Sequence, residues 1–250
     1  MPIILDIGNT SITYGLYDGG RLHASGYCLY DNIPKLVKNW QRSGKHNTKD
    51  IVICSVVPKI TSKVIKGIPK EKGQKLWLVG KHLNIDFPHK YKPFNKLGKD
   101  RAVNLYGALR MYQAPFLVLD FGTAIKADYV SEKGIYEGGM IIPGPEIAFQ
   151  ALTERAALLP KKMRLPQTST SFLGTNTFDC MTAGILEGYG AMADGLIARF
   201  REKYGKDLRV IVTGGFATHL KPYTRSLDNV DPLHPLKSLL ILFKSTVNKR

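Results

Sequence analysis

Three short stretches hold the residues best suited to chemistry. They are Asp6-Ile7-Gly8-Asn9-Thr10, Gly98-Lys99-Asp100-Arg101 and Asp120-Phe121-Gly122-Thr123-Ala124. In the first and third, an aspartate closes an apolar run (Ile3–Leu5, Phe116–Leu119) and is followed by glycine and small residues. Backbone N–H groups in such a turn can approach an anion closely, and a threonine adds a hydroxyl. A carboxylate at a strand end can hold a metal ion or orient a metal-bound water. Either copy alone is also compatible with an ordinary hairpin carrying Asp and Gly in its turn. The repetition favours a paired phosphate-binding arrangement. In the middle stretch, Asp100 and Arg101 stand near the start of a helix whose apolar residues are Val103, Leu105, Leu109 and Met111. A carboxylate there is either a simple cap or a functional group. An arginine there is opposed by the helix dipole, which points to a ligand carboxylate or phosphate as its partner.

These stretches need elements to position them. Residues 3–29 read as a three-stranded meander turning at Asp18-Gly19-Gly20, and Phe116–Gly144 as strand, turn, strand, turn, strand. This is one grammar used twice, an internal duplication rather than a short-period solenoid. Between the copies, Asn32–Trp40 has the spacing of a short helix, Ile51–Cys54 that of a buried strand, and Ser55-Val56-Val57-Pro58 turns into a helix with Val64 and Ile65 inward. Leu76–Val79 is a further strand, and Asn84–Lys99 is loop-like. After the second copy, Glu146–Leu158 reads as a helix and Lys161–Phe172 as a polar loop. A long helix then runs from the Gly174–Thr177 cap to about Tyr204. Its small residues Ala183, Gly184, Gly188, Gly190, Ala191 and Ala193 permit close packing, within the chain or across a dimer. Leu208–Val212 is a buried strand ending in Thr213-Gly214-Gly215, where a ligand could lie against the backbone. Pro235–Phe243 is a C-terminal helix with proline in its first turn. Strands alternating with helices indicate an α/β fold.

Composition narrows the classes. The 250 residues suffice for one large domain or two smaller ones. No run approaches the ~18 apolar residues of a membrane span, and no basic segment leads into a signal core, so a cytoplasmic location is expected. The three cysteines are odd in number and widely spaced, and the six histidines lack metal-ligand spacing. Cys28 and Cys54 lie in strand-like runs and are expected to be buried thiols. The net charge of +16 attracts anions, but the lysines are scattered. A solvated basic surface is favoured over a dedicated nucleic-acid site. Neither a Gly-x-x-x-x-Gly-Lys-Ser/Thr loop nor a protein-kinase glycine loop is present.

Taken in order and spacing, a set of motifs resembles those of type III pantothenate kinases over nearly the whole chain. The set comprises Asp6–Thr10, Ser55–Pro58, Gly98–Arg101, Asp120–Ala124, Gly138-Gly139 with Pro143-Gly144, Leu159-Pro160, Thr177 and Thr213–Gly215. Each motif is weak alone; the ordered set is specific. The resemblance implies two related ribonuclease H-like α/β lobes, the duplication of actin and sugar kinases, with a nucleotide cleft between them. The lobes would span 1–114 and 115–250. It implies ATP-dependent phosphorylation of pantothenate to 4′-phosphopantothenate, the first step towards coenzyme A. Asp100 would be the catalytic base. Tyr91, Gly98, Lys99, Asp100, Arg101 and Thr177 would bind pantothenate, with Arg101 suited to its carboxylate. Asp6, Ile7, Gly8, Asn9, Thr10, Ser11, Ile12 and Thr13, together with Thr123, would contact ATP. Asp6 would organise Mg²⁺, and Asp120 would hold a monovalent cation, K⁺ or NH₄⁺. The family works as a homodimer.

One departure stands out. Members of the family commonly place two threonines where Ile125 and Lys126 precede Asp128. Lys126 could point to solvent, pair with Asp128, replace the monovalent cation or touch ATP phosphate, and the change could also mark reduced activity. A kinase-fold accessory protein regulating transcription is the alternative function. The full set Asp6, Asp100, Arg101, Asp120 and Thr177 weighs against it. A chaperone or actin-like polymer is not expected, because the chain lacks room for a substrate domain or large lobe insertions.

Overall fold

The computed structural model describes residues 2–18, 21–32, 50–68, 73–155, 164–168, 171–227 and 229–248. The chain divides into two compact units, Met1–Tyr112 with Leu233–Arg250, and Gln113–Pro232. The C-terminal helix therefore groups with the first unit, whereas the division at 114/115 expected from the resemblance places it with the second. The helix expected at Asn32–Trp40 lies outside the described residues from position 33 onwards. The Leu159-Pro160 motif and most of the Gly19-Gly20 turn region also fall outside them.

The first unit is built on a five-stranded sheet of order β3-β2-β1-β4-β5. Its strands are β1 (Pro2–Ile7), β2 (Ser11–Asp18), β3 (Arg21–Leu29), β4 (Asp50–Ser55) and β5 (Lys75–Leu78). β1, β2 and β3 form an antiparallel meander, while β4 and β5 add in parallel. Side chains alternate across a strand. Ile3, Leu5 and Ile7 thus share a face with Ile51 and Ile53 and pack with Val64 of the Pro58–Gly67 helix. The opposite face carries Ile4, Asp6, Val52 and Cys54, and is covered by the Lys99–Met111 and His234–Val247 helices. Those two helices approach so closely that a Cβ at Gly107 would lie 2.1 Å from Ser238 Oγ.

The second unit repeats the plan. Its four-stranded sheet has the order β8-β7-β6-β9, from β6 (Phe116–Phe121), β7 (Ala124–Val130), β8 (Tyr136–Pro143) and β9 (Arg209–Thr213). Again an antiparallel meander is joined on its first strand by a parallel strand. Strand for strand this matches β3-β2-β1-β4, so the duplication expected from the two Asp loops is present in the topology. Leu117, Leu119 and Phe121 face Ala193, Ile197 and Phe200 of the long Thr177–Tyr204 helix. The Pro145–Arg155 helix packs on that same long helix. No helix among the described residues is long and apolar enough to cross a membrane.

Candidate active site

Register sets out the first unit's candidate residues. Asp6 lies opposite Thr13 across the β1–β2 hairpin and opposite Cys54 across β1–β4. Laterally paired residues share a face of the sheet, so Asp6, Thr13 and Cys54 form one row. The hairpin closes with Gly8 N–H donating to the Ser11 carbonyl at 3.0 Å. The Tyr30 hydroxyl donates to the Gly8 carbonyl. Asn9 and Thr10 are exposed at the tip, and Ser11 is half-buried. Ile7 and Ile12 are fully buried, so only their backbone can serve a ligand. After β4, Val56 N–H donates to the Ile7 carbonyl at 3.2 Å. Ser55 Oγ accepts from Val57 N–H at 3.0 Å and from the Thr61 hydroxyl at 2.6 Å. The Ser55–Pro58 motif thus ties the Pro58–Gly67 helix to the end of β1.

The Lys99–Met111 helix begins on the same face. Its N-cap is Gly98, and Asp100 lies in the first turn rather than at the cap. Asp100 is therefore not the N-cap, although as a first-turn carboxylate it is still favoured by the helix dipole. Arg101 is only 6% exposed, with its guanidinium carbon 5.8 Å from the centre of the Tyr91 ring, within cation–π range. The Lys99 side chain runs over Gly80, whose added Cβ would lie 3.0 Å from Lys99 Cε.

Cys54 shows how near these groups are to one another. Burial pushes its thiol well above the ordinary range, the charges of Asp6 and Asp100 push it further, and Lys99 pulls it back. Asp6 also shares a hydrogen bond with the thiol. Asp6 therefore neighbours the buried sulfur directly, by register and hydrogen bond, while the charges of Asp100 and Lys99 reach it. Its place beside Asp6 is invisible in the sequence, where it reads only as the end of an apolar strand. The pairing register is what reveals it.

In the second unit the equivalent row is Asp120, Lys126 and Thr213, paired across β6–β7 and β6–β9. Gly122–Thr123 forms the turn, tighter than Gly8–Thr10. Two glycines clamp it. A Cβ at Gly144 would lie 2.4 Å from the Thr123 carbonyl oxygen, and one at Gly214 would lie 2.5 Å from the Phe121 backbone. Gly214 also has φ +99°, which glycine adopts freely. Thr123 is half-buried in the turn. Lys126 Nζ donates to Asp120 Oδ2 at 2.9 Å, and Asp128 accepts from the Tyr136 hydroxyl at 2.7 Å. Thr213 Oγ1 is fully buried beside Asp120, another neighbour that register alone discloses. Thr177 is exposed as the first residue of the long helix. It is not the cap: Asn176 caps that helix, its side chain accepting from Asp179 N–H at 3.0 Å.

A profile of type III pantothenate kinases matches residues 2–199. The chain belongs to the type III pantothenate kinase family. A type III pantothenate kinase from Moorella thermoacetica is 33% identical over 255 residues, covering 98% of this chain and 99% of the relative. Another from Syntrophus aciditrophicus is 33% identical over 253 residues, with the same coverage. Among solved structures, a Campylobacter jejuni protein assigned to the Baf family of transcriptional activators superposes with a TM-score of 0.60 at 17% identity, covering 98% of this chain and 99% of that one. A Sinorhizobium meliloti protein assigned as a 2-dehydro-3-deoxygalactonokinase gives 0.54 at 12% identity, covering 100% and 99%. At such identities these likenesses speak for the fold, the two-sheet α/β architecture of kinases of this kind, and for nothing more.

Proposed function

We propose that this protein phosphorylates pantothenate, with ATP as the phosphoryl donor. The family match over residues 2–199 and the relatives that span nearly the whole chain carry the reading, and the placement of Asp6 and the start of the Lys99–Met111 helix on one face of the first sheet is consistent with it. The primary hydroxyl of pantothenate attacks the γ-phosphorus, the bond to the β-phosphate oxygen breaks, and ADP leaves. The hydroxyl proton passes to Asp100. The transition state of phosphoryl transfer is loose, so Asp100 mainly positions the nucleophile. Arg101, whose guanidinium is held by burial and the Tyr91 ring, pairs with the pantothenate carboxylate. Tyr91, Gly98, Lys99 and Thr177 complete the substrate set. Asp6–Thr13 in the first unit and Thr123 in the second are each assigned to ATP by the family resemblance, with Ile7 and Ile12 offering backbone groups alone.

Among the described residues no cluster of three metal-ligating side chains occurs. Mg²⁺ arriving with a nucleotide needs only one or two carboxylates besides phosphate and water. Asp6, half-buried at a strand end, fits that part. When bound, the ion neutralises phosphate charge. Homodimer assembly and a cytoplasmic location belong to the same proposal. The exposed Gly184 and Gly188, with open space above each, leave room for a second helix. The transcription-regulator alternative is not favoured.

The test is ADP release with and without pantothenate, for wild type and Asp100→Asn. Wild type should turn over only with pantothenate, and the variant should lose about 10²-fold or more at an unchanged melting temperature. Pantothenate-independent release, or a fully active Asp100→Asn protein, would overturn the reading.

A further inference from the structure

The resemblance implies a free monovalent cation at Asp120, and the residues there do not fit one. Lys126 Nζ lies 2.9 Å from Asp120 Oδ2, with the two side chains only 18% and 15% exposed. An ammonium offers three donors and no lone pair. It cannot ligate a metal ion, and a second cation on the same carboxylate would meet a like charge at near contact. The pair is set by the sheet, because Asp120 and Lys126 are register partners. It lies against the phosphate-loop candidate: a Cβ at Gly122 would be 3.5 Å from Asp120 Oδ1 and 3.9 Å from Lys126 Nζ. The duplication sharpens the contrast. In the first unit the register partner of Asp6 is Thr13, a neutral hydroxyl.

We propose that Lys126 is a tethered monovalent cation. Its ammonium holds, beside the Gly122–Thr123 turn, the positive charge that potassium or ammonium would otherwise bring, and the protein works without either ion. The activity arm of this inference rests on the kinase reading; the binding arm does not.

Pantothenate-dependent ADP release would be compared in potassium, ammonium, sodium and tetramethylammonium chlorides at equal ionic strength, for wild type and Lys126→Thr. Thallium(I) binding to both proteins would be followed by calorimetry. Wild type should vary by less than about twofold among the salts once screening is matched and show no saturable thallium binding. Lys126→Thr restores a hydroxyl beside Asp120 and Thr213. It should bind thallium, fall at least about tenfold in tetramethylammonium, and recover in potassium or ammonium, as expected when a fixed charge that stabilises phosphate charge is lost and replaced. A tenfold fall of wild type without potassium, or saturable thallium binding by wild type, would overturn the proposal. So would a Lys126→Thr protein whose activity ignores the cation, since the ion pair would then be structural only. If that variant does not fold, the two wild-type measurements decide. Absence of pantothenate-dependent turnover in every salt would overturn the kinase reading instead, and the thallium titration would still judge Lys126.

Discussion

Cys54 reports on the environment that the proposed chemistry needs. It is 1% exposed, and burial, Asp6 and Asp100 all push its thiol upward. The thiolate is the reactive form, so an upward shift suppresses reaction through the neutral range. Cys28 is buried as well, its thiol raised by burial, while Cys180 is exposed. Treatment of the native protein with iodoacetamide at pH 8 should modify Cys180 first. Cys54 should stay protected until the protein unfolds, as read by peptide mass spectrometry. Modification of native Cys54 as fast as Cys180 would contradict the buried, carboxylate-flanked placement. The low charge burden of a neutral thiol also matters for Asp6, which then meets no additional anion from its strand neighbour.

At the scale of elements, the two Asp loops depend on how closely other segments approach them. The Gly144 N–H donates to the Thr123 carbonyl at 3.0 Å, and the Phe216 N–H to the Phe121 carbonyl at 2.9 Å. A side chain at Gly144, or at Gly214 beside Phe121, would have no space. Gly144→Ala would put a methyl 2.4 Å from the Thr123 oxygen. It should cost about 1–3 kcal/mol through forced backbone shifts and displace Thr123, lowering both the melting temperature and the affinity for ATP. Gly195→Ala is the matched control. Its Cβ meets nothing within 4 Å on the exposed side of the Thr177–Tyr204 helix, so it should stabilise by about 0.5–1 kcal/mol through reduced chain entropy. Thermal melts of the two variants should move in opposite directions. Equal shifts would show that the Gly144 approach is not close.

For the molecule as a whole, the placement of the last helix carries the clearest consequence. Leu236, Leu239 and Leu242 are fully buried in the first unit. Removing them forfeits about 1.5–3 kcal/mol each, a sum comparable to the roughly 5–15 kcal/mol that holds a typical domain together. Truncation after Pro232 should therefore unfold the first unit selectively. Hydrogen exchange read by mass spectrometry should show lost protection in β1, β2, β4 and β5, with β6, β7 and β9 retained. Uniform loss, or none, would contradict the assignment of this helix to the first unit.

The repeated strand–Asp–Gly grammar, the α/β class, the family and the stretches at which chemistry could occur were all legible in the order of the residues. These are local: an apolar run ending in aspartate and glycine is ambiguous once and informative when repeated, and an ordered set of motifs survives without knowledge of contacts. Tertiary structure decided what each residue meets. The partner of Lys126 could be solvent, Asp128, a phosphate or a cation site from the sequence alone; strand register gave it to Asp120. Asp100 could be a cap until the backbone put Gly98 there, and Thr177 could be one until Asn176 took the role. Cys54 and Thr213 entered the two sites only through parallel pairing with strands distant in sequence. The last helix joined the first unit because its leucines bury there. Register, capping and burial are relations between distant segments, and they come into being only when the chain folds.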